Sequence, residues 1–556
     1  QDCHQYLEQE GLNDWKEEIQ IIIDMPENST LEQTQVMAQK VSNRTQQLAE
    51  VTTIASYVGL PSPIDFNGMV RQYYQRHAPY MADLRVLLVD KTKRQHQSHG
   101  IVLRLRKHLA TFNKDGVKIK VVEVPPGPPV LSTLVAELYG DEFTSYEDIQ
   151  HAAIKVEQRL MREALVVEVD RKVADEQRRL RFVTDKSKAA LSGITTADIN
   201  QLLTVANRGS IVGYMHEENE AAPLAIKLQL PLAQRESIAD FSRLTIKGHI
   251  DKVQSIDEYG LNISPQSLVA LGELGQFVEH VSEKAIYHKD LKPVVYVMAE
   301  MSGRTPAEVI ADVSADLRIV PADSDLISAA VPAAVSSTQM TDDQHWQSRS
   351  FLNSGANDIW FLPENISLLW SGEGEWRITL RVFRDMGAAF IFALIAIYIV
   401  LRIQTHSMAL SLIIMSAIPL SVIGIMPGFF LLNQFGERTI AQAPDPVLFT
   451  ATAMIGMIAL AGIVVRSSLI LVEFISQARA KGMDIQSALL QAGSARMRPI
   501  LLTAGTTLLG NLIIMLDPVF NGLAIAIIFG IISSTLFTLF VVPIVYLLVF
   551  GSQEKL

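Results

Sequence analysis

The stretch AGIVVRSSLILVEF, Ala461–Phe474, decides the fold. It sits in an apolar run from Val447 to Glu473 that carries a single cation, Arg466, near its middle. A run of this length meets the roughly 17–25 residues that a bilayer-spanning helix needs. Unpaired backbone is not tolerated in lipid, so the run reads as a helix and not as a lone strand. Four more apolar runs lie around it, at 386–403, 408–432, 499–516 and 518–550. The first has 16 uninterrupted apolar residues and is extended backwards through Val382 and Phe383. The last two meet at Asp517-Pro518, a break suited to a tight turn.

Outward from these spans, the composition changes sharply. The chain has 556 residues, 48 Lys plus Arg against 59 Asp plus Glu, and a net charge of −11; its length suits about three or four domains. Residues 1–382 hold 39 basic and 52 acidic side chains, whereas residues 383–556 hold 9 and 7. The first part is therefore a water-soluble acidic region and the second is membrane. An ordinary cytosolic enzyme, a disordered chain and a strongly basic nucleic-acid binder are excluded. The one cysteine, Cys3, cannot form an internal disulfide.

Orientation follows from the Lys/Arg bias of the connections. Arg402, Arg479, Lys481, Arg496, Arg498 and Lys555 fall on one side of five inserted spans, and Arg438 alone falls in the opposite connections. The basic side faces the cytoplasm, which places residues 1–382 outside. Arg377, Arg381 and Arg384 on the outer edge run against the rule, which long translocated domains obey poorly. A soluble region on the outer side needs a span to lead it across. The chain is thus expected to be the C-terminal part of a longer polypeptide.

The soluble half alternates strands and helices. EEIQIIIDM (17–25) reads as a strand, and Ser29–Leu48 as a helix opened by a Ser29/Glu32 capping box. Leu31, Thr34, Ala38, Val41, Thr45 and Leu48 share one face of that helix. Strands at 51–58, 82–90 and 117–124 and a helix near 96–112 complete a ferredoxin-like unit. Pro125–Pro129 (PPGPP) is a stiff boundary. A second βαβ unit follows, with strands at 132–139, 163–169, 179–184 and from Pro293, and helices near 145–161 and at 305–317. It is interrupted by a β-rich module at about 205–275. The fold class is thus an α+β membrane protein: ferredoxin-like subdomains with an inserted module, then a five-span helical bundle. The soluble half shows no metal-ligand cluster, nucleotide loop or Ser/His/Asp signature.

Several segments carry a family resemblance. Ala461–Phe474 and RMRPILLT (Arg496–Thr503) resemble the C-terminal membrane half of resistance-nodulation-division (RND) efflux transporters. FNGMVRQYY (Phe66–Tyr74), VVEVPPGPPVLSTLVAELYG (Val121–Gly140), IYHKDLKPVVYV (Ile286–Val297) and WSGEGEWRITLRVFRDMG (Trp370–Gly387) resemble the hydrophobe/amphiphile efflux branch. The resemblance covers nearly the whole chain. It implies the second half of a twelve-span multidrug-resistance pump in the bacterial inner membrane. Such a pump is a secondary active transporter, a proton antiporter with no cofactor beyond the proton gradient and no resident metal. Its partners are the lipid bilayer, the N-terminal half, two further copies in a homotrimer, a periplasmic adaptor and an outer-membrane channel, with no nucleic acid. The expected divisions are a lead-in at 1–16, porter subdomains at 17–125 and 130–204, a docking module at 205–275, the porter return and linker at 276–376, and the membrane domain at 377–556. Residues 1–382 lie on the periplasmic side.

Within that frame Arg466 occupies a position where the family usually has a lysine paired with carboxylates of the first half. Arginine keeps its proton, so Arg466 would be a fixed countercharge in the proton relay, with Ser467 and Ser468 beside it. The other reading is an arginine that snorkels to the cytoplasmic edge towards Glu473. Arg498 matches a family arginine at the start of the next span, or serves as a positive-inside anchor. Thr503 and Thr507 would add relay hydroxyls, or bond back to their own helix. No aspartate pair lies inside the five spans, so the main proton carriers are expected elsewhere. Gly522, Ala526, Gly530 and Ser534 form a small-xxx-small packing stripe, and Ser476–Met497 reads as an amphipathic surface helix. Phe66, Tyr73 and Tyr74, around a turn at Asn67-Gly68, are either substrate contacts or subdomain core. His288, Lys289 and Asp290 read as a solvated turn. Competing readings are an accessory for lipid or protein export in the same superfamily, a non-functional fragment, and a membrane sensor. The last is disfavoured because the cytoplasmic loops are short and only six residues follow Phe550.

Overall fold

A computed structural model describes residues 18–551 except 91–92, 95, 97, 124–129, 218–222, 236, 250–252, 258–259, 264–267, 323, 325–348, 350–352, 436–438, 441–442, 445–446, 516 and 518–519. The first soluble layer contains β1 (Glu18–Asp24), α1 (Leu31–Thr45), β2 (Val51–Val58), β3 (Met81–Leu88), α2 (Ser98–Leu109) and β4 (Lys118–Glu123). Its sheet order is β2-β3-β1-β4 and its pairings are antiparallel, which is the ferredoxin-like arrangement. Ile19, Ile21 and Ile23 join Ala38, Val41, Leu84, Val86, Ile101 and Leu105 in the core under α1 and α2. Gln20 and Ile22 are buried as well, because the segment between β2 and β3 covers the far face of the sheet. Burial on both faces explains why Ile22 is apolar as well as Ile19, Ile21 and Ile23, and why Gln20 there needs its hydrogen bond to Ser62. The helix start differs by one residue from the expectation. Thr30, not Ser29, caps α1, and its capping box closes with Gln33.

The second layer has β5 (Leu134–Gly140), α3 (Tyr146–Met161), β6 (Val166–Arg171), β7 (Val295–Met301), α4 (Pro306–Ala315) and β8 (Ile366–Leu369). Its order, β8-β5-β7-β6, repeats the topology of the first sheet around a separate core of Leu134, Ala136, Val156, Val297, Val309 and Trp360. Between β6 and β7 the chain forms a second compact unit, Ala174–Lys284. This is wider than the module expected at 205–275. Arg178–Thr184 pairs with Gly275–Val281 there, so the strand expected at 179–184 belongs to this unit. Ala189, Ile194, Ile199, Leu271 and Leu274 make its small core.

Among the described residues, five helices are long and apolar enough to cross a membrane. They are α5 (Gly374–Thr405), α6 (Ala417–Phe435, led in by a turn-broken segment from Met408), α7 (Ala451–Ala480), α8 (Ile485–Ile514) and α9 (Asn521–Phe550). α5 starts at Gly374, eight residues before the expected extension to Val382 and shortly after the last strand of the second sheet. The amphipathic surface helix expected at 476–497 is not separate. Its first residues end α7, and the rest runs on through Pro499 into α8. A proline removes one backbone bond and kinks a helix without necessarily ending it.

Lipid tails are as apolar as Leu, so these helices associate through close packing. α9 is central, with Gly522, Ala526, Gly530 and Ser534 all buried. A Cβ on Gly530 would lie 2.0 Å from Leu460 Cδ2, and one on Gly424 would lie 2.0 Å from Ser533 Cβ. By contrast, a Cβ on Gly493 meets nothing within 4 Å. Gly424→Ala should therefore destabilise the bundle by about 1–3 kcal/mol through overpacking, while Gly493→Ala should leave it unchanged or slightly more stable. Thermal unfolding of both variants in the same detergent checks this. Equal midpoints would contradict the close α6–α9 approach.

Candidate functional site

Arg466 lies halfway along α7, and its side chain is exposed on the surface of this chain. Glu473 and Gln477 share that exposed face, whereas Val464, Val465, Ser468, Leu471 and Val472 turn inward. Seven residues separate Arg466 from Glu473, about 10 Å of helix rise. Among the described residues no ion pair joins Arg466 to any carboxylate. Ser467 donates its hydroxyl to the Val464 carbonyl at 2.8 Å. Ser468 is buried on the other side, 3.4 Å from the hydroxyl of Thr538.

Arg498 is exposed on α8 near Pro499. Its neighbour Arg496 instead stacks its guanidinium over the Phe474 ring at 5.1 Å. Thr503 donates to the Pro499 and Ile500 carbonyls at 3.0 and 2.9 Å, and Thr507 to the Thr503 carbonyl at 2.9 Å. Asn511, which sequence reading passed over, bonds the Thr507 carbonyl at 2.8 Å. The hydroxyl protons are thus committed to their own helix, and only oxygen lone pairs remain for another partner. Among the described residues, Arg466 has no hydrogen bond to Arg498, Thr503 or Thr507. Arg466, Arg498 and Thr503 are exposed on α7 and α8 while Ser467 and Thr507 are half-buried, and together they form no closed relay among the described residues. Among the described residues no group of three or more His, Cys, Asp or Glu is placed to hold a metal ion.

In the soluble layers the two sheets meet through charges. Arg71 pairs with Glu300 at 2.9 Å, Arg106 with Glu168 at 2.9 Å, and Lys118 with Asp170 at 2.7 Å; Lys120 also bonds Asp170. Each cation comes from the first layer and each anion from the second. Burial alone would raise the Asp170 carboxyl, but Lys120 and Lys118 pull it down to about 2. Burial and the Asp170 and Asp24 charges act oppositely on the Lys120 amine, and the charges win, so it is raised. Burial pushes the Tyr73 phenol up, against the Arg71 guanidinium. The sequence signal for this interface was available: Lys118 and Lys120 alternate with Ile119 and Val121 along one strand.

The aromatic candidates lie beside this seam. Phe66 opens a short helix, Phe66–Val70, capped by Asp65. Asn67 and Gly68 are buried inside that helix instead of forming a turn. Phe66 and Tyr74 are exposed, and Tyr73 is half-buried. Lys289, expected in a solvated turn, pairs with the fully buried Glu137 at 2.6 Å and with Glu373 at 3.0 Å, just ahead of α5. Asp290 and Leu291 make the turn itself, both with positive φ.

Two ferredoxin-like sheets, the second split by an inserted unit, followed by five apolar helices, define a multi-pass membrane protein of the RND type. A sequence profile of the AcrB/AcrD/AcrF family matches residues 13–321 and 333–550. The chain belongs to this family of resistance-nodulation-division transporters. It is 24% identical over 416 residues to the swarming motility protein SwrC of Bacillus subtilis, covering 74% of this chain and 32% of that protein. It is 33% identical over 221 residues to the multidrug resistance protein MdtC of Erwinia tasmaniensis, covering 35% of this chain and 20% of that one. The crystal structure of a heavy metal efflux pump superposes with a TM-score of 0.67 at 18% identity, over 96% of this chain and 47% of the pump. The chain thus spans less than half the length of each of these proteins.

The Asp170 pairing has a definite pH signature. A carboxyl depressed on folding contributes stability above its ordinary value near 4 and loses it as pH falls through about 2. Asp170→Asn should therefore lower stability by on the order of 2 kcal/mol above pH ~4. The gap to wild type should narrow steadily from there towards pH ~2. Denaturant unfolding across that range checks it, and a pH-independent gap would contradict the pairing.

Proposed function

We propose that the chain is the C-terminal half of a proton-driven efflux transporter for amphiphilic small molecules. The observation that carries this is a permanent cation, Arg466, on the exposed face of a membrane helix with no carboxylate paired to it among the described residues. A charge at the centre of a bilayer is costly unless it faces protein or water. The reading supplies the partner: carboxylates on helices of the transporter's other half, which bind and release the proton while Arg466 stays charged. Arg498 on α8 adds a second cation near the cytoplasmic end. Ser467, Thr503 and Thr507 offer hydroxyl oxygens as acceptors along the same path.

In this reading the soluble layers are porter subdomains on the periplasmic side of the inner membrane. The ion-paired seam between them lies beside the substrate-contacting aromatics Phe66, Tyr73 and Tyr74. The compact unit Ala174–Lys284 is the docking module, where a homotrimer would meet a periplasmic adaptor and an outer-membrane channel. Support comes from the family membership and from the match to MdtC, a multidrug resistance protein.

The test is substrate efflux by the intact transporter carrying Arg466→Ala or Arg466→Lys. Arg466→Ala should reduce efflux at least about a hundredfold, as expected when a paired charge in the membrane is left without its partner, at unchanged expression and assembly. Arg466→Lys should retain part of the activity, because a lysine still presents the charge. Near-normal efflux from Arg466→Ala would remove this residue from the mechanism.

A further inference from the structure

The strand Trp360–Pro363 pairs in parallel with Leu317–Val320. A parallel pair needs a crossover between its strands, here residues 321–359, and closing a long loop costs chain entropy. The returning strand therefore needs fastening at its near end. Trp360 supplies part of this: it is buried, and its indole N–H donates to the Val313 carbonyl at 2.8 Å. The residues just ahead of it, Asn353–Ile359, are mostly polar or small, so hydrogen bonds must do the rest.

Those bonds go to a frame of buried charges on two helices of the second layer. Arg159 lies in the last turn of α3 and Glu163 one turn further on. Asp312 lies in α4 and Asp316 caps it one turn later. Arg159 donates to Glu163 Oε2 at 2.7 Å and to Asp316 Oδ2 at 2.9 Å. Arg304 donates through Nη1 to Glu163 Oε1 and through Nη2 to Asp312 Oδ2, both at 2.7 Å. The side chains of Arg159, Glu163, Arg304 and Asp312 are at most 5% exposed. The returning chain is tied to this frame. The Gly355 N–H donates to Asp312 Oδ1 at 2.8 Å, the Ala356 N–H to Asp316 Oδ2 at 2.9 Å, and Arg162 forks onto Asp358 at 2.7 and 3.2 Å. Gly355 has φ +113°, and a Cβ there would lie 2.9 Å from Asp316 Oδ1, so this close approach requires glycine.

Arg349 adds a further tie of a different kind. Its Nη1 donates to Glu163 Oε1 at 2.7 Å and to Asp312 Oδ2 at 3.0 Å, the same two oxygens that Arg304 holds. Arg304 spans them with two nitrogens, and Arg349 bridges them with one. The charge balance depends on it. Arg159, Arg304 and Arg349 face Glu163, Asp312 and Asp316, and Arg162 balances Asp358. Without Arg349 one buried negative charge is left over, which is costly. Burial would raise the Asp312 carboxyl, but the Gly355 N–H and the Arg349 and Arg304 guanidiniums hold it below the usual carboxylate range. Arg349 is also the most exposed of the three arginines, at 18%. It can let go while Arg304 and Gly355 still hold Asp312.

We infer that Arg349 is an internal latch: one nitrogen fills the notch between Glu163 and Asp312 that Arg304 sets, and so fastens residues 353–363 to the second layer. The latch lies within this chain and is independent of the transport reading. Because one nitrogen makes both bonds, a lysine ammonium also fits the notch, whereas the two-point span of Arg304 needs the guanidinium fork.

The experiment measures backbone hydrogen exchange of residues 353–363 in the intact transporter in detergent, by mass spectrometry, for wild type, Arg349→Ala and Arg349→Lys. Exchange should be about tenfold faster in Arg349→Ala, as local opening becomes easier, and within about threefold of wild type in Arg349→Lys. Methylguanidinium should slow Arg349→Ala back towards wild type. Tetramethylammonium carries the same charge but has no N–H to donate, and should leave it fast. Wild type should respond to neither cation, because its tethered Arg349 outcompetes a free one. A merely structural gap left by the deletion would not tell the two cations apart. Wild-type exchange in Arg349→Ala would overturn the latch. Fast exchange that neither lysine nor methylguanidinium slows, or that both cations slow alike, would overturn the notch. If Arg349→Ala does not fold, Arg349→Gln removes the charge with less loss of volume, and wild-type exchange in that variant would overturn the latch equally.

Discussion

An arginine does not surrender its proton, and a bilayer does not solvate a charge cheaply. Arg466 brings these two constraints together in the middle of α7. Its helix packs through the opposite face, where Val464, Ser468, Leu471 and Val472 are buried against the bundle. The charge is therefore directed away from the five-helix core. The core itself has no use for a cation. It is built from small residues on α9 and their close neighbours on α6 and α7, where Gly530 admits Leu460 and Gly424 admits Ser533. Half of the apolar window of α9 is buried inside this chain, against 6% for α5 and 11% for α8. α9 is thus the scaffold, and the faces carrying Arg466 and Arg498 remain open.

The soluble layers use electrostatics differently. Each has its own apolar core, and the seam between them is a set of ion pairs with cations on one side and anions on the other. Interfaces of this polar kind separate at lower cost than a shared hydrophobic core, because the parted charges regain water. Each sheet is thus held by its own apolar core, and the two are joined by charge. The join to the membrane is firmer. Glu137, Lys289, Glu373 and Arg377 form a chain of contacts of 2.6–3.0 Å from the second sheet into the first turn of α5.

Much of this was legible in the sequence because periodicity and length are strong signals. EEIQIIIDM was readable as a strand, and the spacing of Thr34, Ala38, Val41 and Thr45 matched the buried face of α1. The five spans were visible from apolar length alone. Their ends were not: Pro499 looked like a helix start, yet α8 runs through it, and α5 begins at Gly374 inside a charged segment. Charged clusters were the least legible feature. Arg85 bonds Ser62 and Asp65, 23 and 20 positions away, and only the pairing of β1 with β3 brings Glu18 to the same arginine. Lys289 looked solvated because its neighbours are polar, and its buried partner Glu137 lies 152 positions away. Local patterns reveal which face is inward, but not which distant charge waits there.

The most direct test of proton-driven export is substrate movement in liposomes holding the intact transporter under an imposed pH gradient. Transport should follow the gradient in sign and size, release protons in step with substrate, and stop when an ionophore collapses the gradient. Transport that continues at full rate without a gradient, or a gradient that moves no substrate, would contradict proton coupling and leave Arg466 needing another explanation.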